Sequence, residues 1–141
     1  PDLATVDFCD YVTQLVEDLF RVYRVDTDLV RPVITVDKVA LSIEKAIPSG
    51  LLINELVQNC LNHAFPDGRS GEVKILFGRT PKGTMHLAVE DDGVGIPCGL
   101  DIRCASSLGM NLVSALTEQL SGTCSVDGTM GTRVCIEFPL H

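Results

Sequence analysis

The sequence predicts an α/β fold, a two-layer sandwich in which a mixed, mainly antiparallel sheet carries three helices on one face. Apolar residues recur at helical spacing in three segments, and six shorter segments have the composition of strands. Turn residues join four of these strands into two hairpins, whose strands pair antiparallel. Helices and hairpins that share one core form two layers.

The first half of the chain is predicted to form a helix, two strands and a helix. Residues 5–23 form the first helix, because their apolar side chains recur every three or four positions. Residues 30–37 alternate as a strand, and Pro32 favours the sheet edge because proline donates no ladder hydrogen bond. Residues 38–43 form a second short strand or a turn. The second helix follows, with Ser49 as its expected N-cap.

The second half of the chain is predicted to form two hairpins with a helix between them. Residues 72–80 and 84–92 are strands joined by a Pro-Lys-Gly turn. A loop rich in glycine and serine precedes the third helix, in which Gly122 is the expected C-terminal stop. The remaining segments are the loop 93–107, the helix 108–122 and the strands 123–128 and 132–140.

Composition limits the possible functions. The 141 residues fit a single domain, 1–141, and no apolar run approaches the ~18 residues of a membrane span. The net charge of −8 argues against a nucleic-acid partner, which requires a basic surface. None of the six cysteines forms a Cys-x-x-Cys pair, so we expect no zinc site and reduced thiols in a cytoplasmic protein.

The second helix has an unusual polar face. At 100° per residue, Glu55, Asn59, Asn62 and His63 fall on one side and apolar residues on the other. An amphipathic helix with a solvated face explains this arrangement, but asparagine is a mediocre helix former. An amide oxygen can ligate Mg²⁺, and a carboxylate one turn away can accept a proton. The face therefore fits either solvent or a ligand site.

Three glycine-containing turns offer further candidates. Asp91 ends a strand before Gly93 and Gly95, where a carboxylate can accept a hydrogen bond from an exocyclic amine. Gly109 begins a helix, whose free N–H groups can bind phosphate. Thr132 lies in a tight turn from which its hydroxyl can reach a ligand. Each feature alone also fits an ordinary turn or helix cap.

Together these segments resemble a known superfamily. In order, NELVQNCLNHAFP, DDGVGIP, SLGMNLV and GTR are similar to the N, G1 and G2 boxes and the last turn of the GHKL ATPases. The subgroup most similar is that of histidine kinases with a phosphoacceptor domain of the second HisKA type. The resemblance implies the Bergerat ATP-binding fold, a bound ATP and a Mg²⁺ ion.

The resemblance also implies roles for individual residues. Glu55 matches the acid that polarises the attacking group, and Asn59 matches the Mg²⁺ ligand. Asp91 matches the acceptor of the adenine amino hydrogen, and residues 97–107 match the ATP lid. The other nucleotide-binding positions that it implies are Asn62, His63, Gly93, Gly95, Ser107, Leu108, Gly109, Met110 and Thr132.

The function implied is that of the ATP-binding catalytic domain of a bacterial two-component sensor histidine kinase in the cytoplasm. It would transfer the γ-phosphoryl group to a histidine on an upstream dimerisation domain, which then signals to a response regulator. A stand-alone anti-sigma-factor serine kinase of the same fold is one alternative. A non-catalytic nucleotide-binding module is another, because Asn62 stands where many relatives carry Lys or Arg and the lid is short.

Overall fold

The computed structural model describes residues 5–63, 65, 68–93, 108–128 and 131–140. Helices and strands alternate through this part of the chain in nearly the predicted order. The elements are β1 (Thr5–Asp7), α1 (Phe8–Val22), β2 (Val30–Val36), β3 (Ala40–Ser42), α2 (Ile43–His63), β4 (Gly71–Arg79), β5 (Thr84–Asp91), α3 (Leu108–Gln119), β6 (Thr123–Asp127) and β7 (Thr132–Pro139).

Five strands form the main sheet in the order β2-β4-β5-β7-β6. The β2–β4 pair is parallel and the other three pairs are antiparallel, so the predicted mixed, mainly antiparallel sheet is confirmed. Pro32 lies in β2 at the edge, where a missing N–H donor is tolerated. The hairpin between β4 and β5 closes through Thr80 and Gly83, as its turn residues predict.

The three helices pack on one face of this sheet. Along β5, Met85, Leu87 and Val89 alternate inward and are buried against the helices. The equivalent buried positions of the neighbouring strands are Val73, Ile75, Phe77, Val134, Ile136 and Phe138. The opposite face is polar, and one row across it alternates in charge: Lys74, Glu90, Arg133 and Asp127. The predicted two-layer sandwich is therefore confirmed.

Both N-terminal helix boundaries differ from the prediction. Residues 5–7 form β1, which pairs with β3, and α1 begins after its N-cap Asp7. The second helix begins at Ile43 and not at Ser49, so Pro48 lies inside it. Packing explains the earlier start, because burial of Ala46 holds the first turns against the core despite the hydrogen bond that proline removes.

The third helix ends in a Schellman motif centred on a serine. The N–H of Ser121 donates to Glu118 O and the N–H of Gly122 donates to Thr117 O, both at 2.9 Å. Ser121, with φ of 57°, occupies the left-handed position that glycine was expected to fill. Gly122 serves a different purpose, since a Cβ there would lie 2.7 Å from Glu137 O.

The cysteines of the described residues are unpaired, as expected. Cys9, Cys60, Cys124 and Cys135 carry free thiols, and Cys98 and Cys104 lie outside the described residues. Within the described part of the chain, no helix is both long and apolar enough to cross a membrane.

Candidate nucleotide-binding site

The polar face of α2 lies where its periodicity predicts. Glu55 and Asn59 are half-buried and Asn62 is exposed. The buried side of the same helix comprises Leu52, Ile53, Leu56, Val57 and Cys60. α2 ends at His63, whose side chain lies outside the description. One face of the helix is therefore available to a ligand while the other anchors it to the sheet.

Asp91 is a buried carboxylate at the end of the central strand. It continues the inward alternation of β5, and its residue is only 6% exposed. Its Oδ1 accepts hydrogen bonds from the N–H of Gly93 at 3.0 Å and from the N–H of Thr132 at 3.2 Å. The structure thus brings together three of the predicted positions, Asp91, Gly93 and Thr132, although they come from two separate segments.

Gly131 makes this approach possible. Its φ is +79°, and a Cβ at this position would collide with the carbonyl oxygen of Asp91. A side chain would therefore meet both conformational strain and a backbone atom that cannot easily move. Glycine lets the turn before β7 lie directly against the end of β5.

Asp92 lies in a different environment from its neighbour. It is exposed, and its Oδ1 accepts a hydrogen bond from the N–H of Glu72 at 2.8 Å, at the start of β4. Arg69 donates to the carbonyl oxygens of Asp92 and Gly93 at 3.3 and 3.4 Å. Asp92 and Arg69 therefore hold the turn from the β4 side, a contact that sequence reasoning missed.

Cys60 joins the helix to the buried carboxylate. Its residue is 6% exposed, and its thiol forms a side-chain hydrogen bond with Asp91. Burial raises the pKa of the Cys60 thiol well above its usual range, and the negative charge of Asp91 raises it further. Sequence reasoning placed Cys60 in the core; its position directly after Asn59, at the border of the polar face, was the available signal.

The remaining predicted positions are only partly described. Gly95, Ser107 and the lid 97–107 lie outside the described residues. Leu108, Gly109 and Met110 form the first turn of α3, as predicted, and that helix packs through Val113 into the core. Free N–H groups of a first helical turn suit phosphate oxygens.

The donor set is compatible with Mg²⁺. No group of three His, Cys, Asp or Glu side chains suitable for a metal occurs among the residues described. Mg²⁺ does not need one, because it keeps several waters and binds through one or two protein oxygens together with substrate phosphates. Asn59, with Glu55 one turn away, supplies oxygen atoms of that kind on the accessible face of α2.

The family is decided by comparison with known sequences. The profile of histidine kinase-, DNA gyrase B- and HSP90-like ATPases matches residues 45–141. The chain belongs to this family. The match contains the polar face of α2, the carboxylate turn after β5, α3 and the last hairpin, so this ATPase domain has its candidate site within the matched region.

Relatives of this ATPase domain are sensor kinases. It is 37% identical over 105 residues to blue-light-activated histidine kinase 2 of Erythrobacter litoralis, covering 74% of this chain and 30% of that protein. It is 34% identical over 94 residues to the sensor histidine kinase PdtaS of Mycobacterium tuberculosis, covering 66% of this chain and 18% of that protein. The chain thus spans less than a third of either relative.

Solved structures agree with this assignment. The histidine kinase domain of the Erythrobacter litoralis EL346 blue-light-activated kinase superposes with a TM-score of 0.89 at 29% identity, covering 99% of this chain and 70% of that one. Acinetobacter baumannii histidine kinase AdeS, at 18% identity and a TM-score of 0.73 over 97% of this chain and 66% of that one, shows the same fold. The ATPase domain is of the histidine kinase type.

Proposed function

We propose that this chain is the catalytic domain of a bacterial two-component sensor histidine kinase that works in the cytoplasm. It would transfer the γ-phosphoryl group of ATP to a histidine on an upstream dimerisation domain, which passes it to a response regulator. Residues 1–141 would act as a single domain with a lid at 97–107. The observation that carries the proposal is the buried, donor-held carboxylate of Asp91 beside the polar face of α2.

The adenine end of the site centres on Asp91. Two backbone N–H groups hold its Oδ1, so the carboxylate cannot turn freely. A fixed acceptor in a nearly water-free position suits the 6-amino group of adenine, which donates where guanine presents an oxygen. Gly93 and Gly95 would flank the purine, and the Thr132 hydroxyl would lie near the same end.

The phosphate end lies along α2 and the start of α3. Asn59 would hold a Mg²⁺ ion, which when bound neutralises phosphate charge. Asn62 and His63 would lie beside the phosphates, together with the segment from Ser107 to Met110 at the helix N-terminus. Asn62 is neutral, so the helix N-terminus and the metal supply most of the positive potential here.

Phosphoryl transfer consists mainly of positioning. The bond between the γ-phosphorus and the bridging oxygen breaks, ADP leaves with the electron pair, and a bond forms from a histidine nitrogen to phosphorus. Glu55 lies on the same face as Asn59, one turn away, with its carboxylate half-exposed. It would orient the incoming imidazole and accept the proton which that ring loses.

Base preference tests the adenine end directly. We expect the parent protein to bind ATP more tightly than GTP by about tenfold to a hundredfold, because guanine would leave the Asp91 carboxylate unpaired. Asp91→Asn should weaken ATP binding and narrow the gap, since an amide can donate to the guanine oxygen. Competition against a fluorescent adenine nucleotide measures both affinities.

Asp92→Asn is the matched control for that experiment. The Asp92 side chain accepts from Glu72 N–H on the far side of the turn, and an amide oxygen can accept the same bond. The preference for ATP should therefore survive in this variant. Unchanged ATP binding by Asp91→Asn, with a loss in Asp92→Asn, would mean that the two aspartates have been assigned the wrong way round.

A further inference from the structure

We propose that Cys60 is a positioning residue for adenine recognition, because its thiol donates a hydrogen bond that orients the carboxylate of Asp91 toward the base. The inference rests on the proposed function, since it takes Asp91 as the acceptor of the adenine amino group. Cys60 itself need not touch the nucleotide. It acts through the aspartate, from the helix that also carries Asn59.

The contact is buried on both sides. Cys60 belongs to the core side of α2 and Asp91 to the inward side of β5, and each residue is 6% exposed. Water therefore has little access to the pair. In such a position a hydrogen bond fixes geometry well, and an unmatched polar group is costly. The thiol is thus placed to set the orientation of the carboxylate.

The hydrogen bonds of Asp91 account for its charge. A carboxylate offers roughly four lone-pair positions. The N–H groups of Gly93 and Thr132 occupy two of these, both at Oδ1, and the thiol provides a third donor. Among the residues that the structure describes, Asp91 takes part in no ion pair. Three neutral donors hold the charge and leave an acceptor position for an amino group.

The thiol is in the form that this role requires. Desolvation raises the pKa of Cys60, and the neighbouring carboxylate adds to the effect, so the S–H proton is retained at neutral pH. A thiolate could not donate and would place a second negative charge against Asp91. The sequence placement of Cys60, immediately after the candidate Mg²⁺ ligand, links both ends of the nucleotide through one turn of α2.

Two substitutions separate donation from packing. Cys60→Ala removes the donor, and we expect ATP affinity to fall about three- to tenfold, the loss typical of one neutral hydrogen bond, with a smaller preference over GTP. Cys60→Ser retains a donor of similar size and should restore both. Cys135→Ala is the control, because Cys135 lies on the opposite face of the sheet beside Ala88 and Ser125.

A spectroscopic signal reports the bond itself. The infrared S–H stretching band of Cys60 should be found at the frequency of a strong hydrogen bond. Subtraction of the Cys60→Ala spectrum isolates it from the other thiols. Addition of ATP should shift this band, because the adenine amino group draws on the same carboxylate. The Cys135→Ala spectrum should keep the shift.

Several outcomes would overturn the proposal. Cys60→Ala with unchanged ATP affinity would do so, as would equal losses in Cys60→Ala and Cys60→Ser with no ATP-dependent shift of the S–H band, since packing alone would then explain both. The Asp91→Asn variant separates the two levels. If it binds ATP normally, the proposed function fails and this inference with it; if it binds weakly while Cys60→Ala does not, only the role of Cys60 fails.

Discussion

Asp91 and Asp92 are adjacent in the chain and have opposite environments. Strand alternation turns Asp91 toward the helices, in line with Leu87 and Val89, and leaves Asp92 at the surface against β4. A buried carboxylate needs donors, and Asp91 receives them from two backbone N–H groups and a thiol. At the scale of single residues, the site is built around one charge that the strand carries into the core.

Glu55→Gln tests the base. Glutamine keeps the shape and loses the charge, so ATP affinity should stay within about twofold while phosphotransfer falls by a factor on the order of 10² or more. Labelled ATP and a cognate phosphoacceptor domain measure the transfer. Glu44→Gln, at an exposed position in the first turn of the same helix, should change neither quantity. Transfer at the parent rate by Glu55→Gln would remove Glu55 from the mechanism.

Gly131→Ala tests the close approach to Asp91. Gly83→Ala is its matched control, because both glycines have φ near +80° but only Gly131 has a neighbour where a Cβ would lie. Strain alone should cost Gly83→Ala about 1 kcal/mol of unfolding free energy and leave ATP binding intact. Gly131→Ala should cost more, at least ~2 kcal/mol, and also weaken ATP binding. Urea unfolding and nucleotide titration measure both; equal costs would exclude the collision.

At the scale of elements, the end of α3 gives a prediction with a change of sign. Ser121→Gly should stabilise the protein by about 0.5–1 kcal/mol, since Ser121 holds a left-handed conformation that glycine adopts without strain. Ser114→Gly, in the exposed middle of the same helix, should destabilise it by about 0.5 kcal/mol. Chemical unfolding compares the two. Destabilisation by both would contradict the assigned cap.

Gly122→Ala addresses the residue that the sequence suggested as the cap. Its Cβ would lie 2.7 Å from Glu137 O and 3.1 Å from Phe138 Cβ, so β6 and β7 would have to separate locally. We expect a loss of at least ~1 kcal/mol in unfolding free energy, with the overpacking of a core as the physical cause. Unfolding in urea gives the value, and a neutral result would mean that the hairpin relaxes without cost.

Local patterns predicted most of these elements, and the failures have physical causes. Alternation and helical spacing predicted the five strands of the main sheet and all three helices. They missed β1, because a three-residue strand exists only through its partner Ala40–Ser42. The start of α2 was misplaced because the packing of Ala46 outweighs the local effect of Pro48.

The site divides in the same way. Asp91 and the polar face of α2 were predictable, because their residue types and spacing carry chemical meaning. The Cys60–Asp91 and Arg69–Asp92 contacts were not, because each joins side chains or turns from separate elements that only the packed fold brings together. Sequence indicated which residues bind, and the fold was needed to show what holds them in position.

At the scale of the whole molecule, charge governs how the nucleotide arrives. The chain carries a net charge of −8, and the outer face of the sheet alternates in sign across its strands, so it contributes no basic patch. An acidic protein repels a polyanion at distances within the Debye length, about 10 Å at 0.1 M salt. The local dipoles of the site must act against this field.

Removal of metal should therefore weaken ATP binding strongly. Metal-free ATP carries more negative charge than its Mg²⁺ complex, so at low ionic strength its affinity should be lower by about tenfold or more, ~1.4 kcal/mol. Calorimetric titration in EDTA and in Mg²⁺ measures the difference. Added salt should narrow it, because screening relieves the general repulsion. Asn59→Ala should narrow it by another route, through loss of the metal-dependent gain, while Asn111→Ala, at an exposed position on α3, should leave it unchanged. Equal affinity with and without metal in the parent protein would rule out a Mg²⁺ site at Asn59.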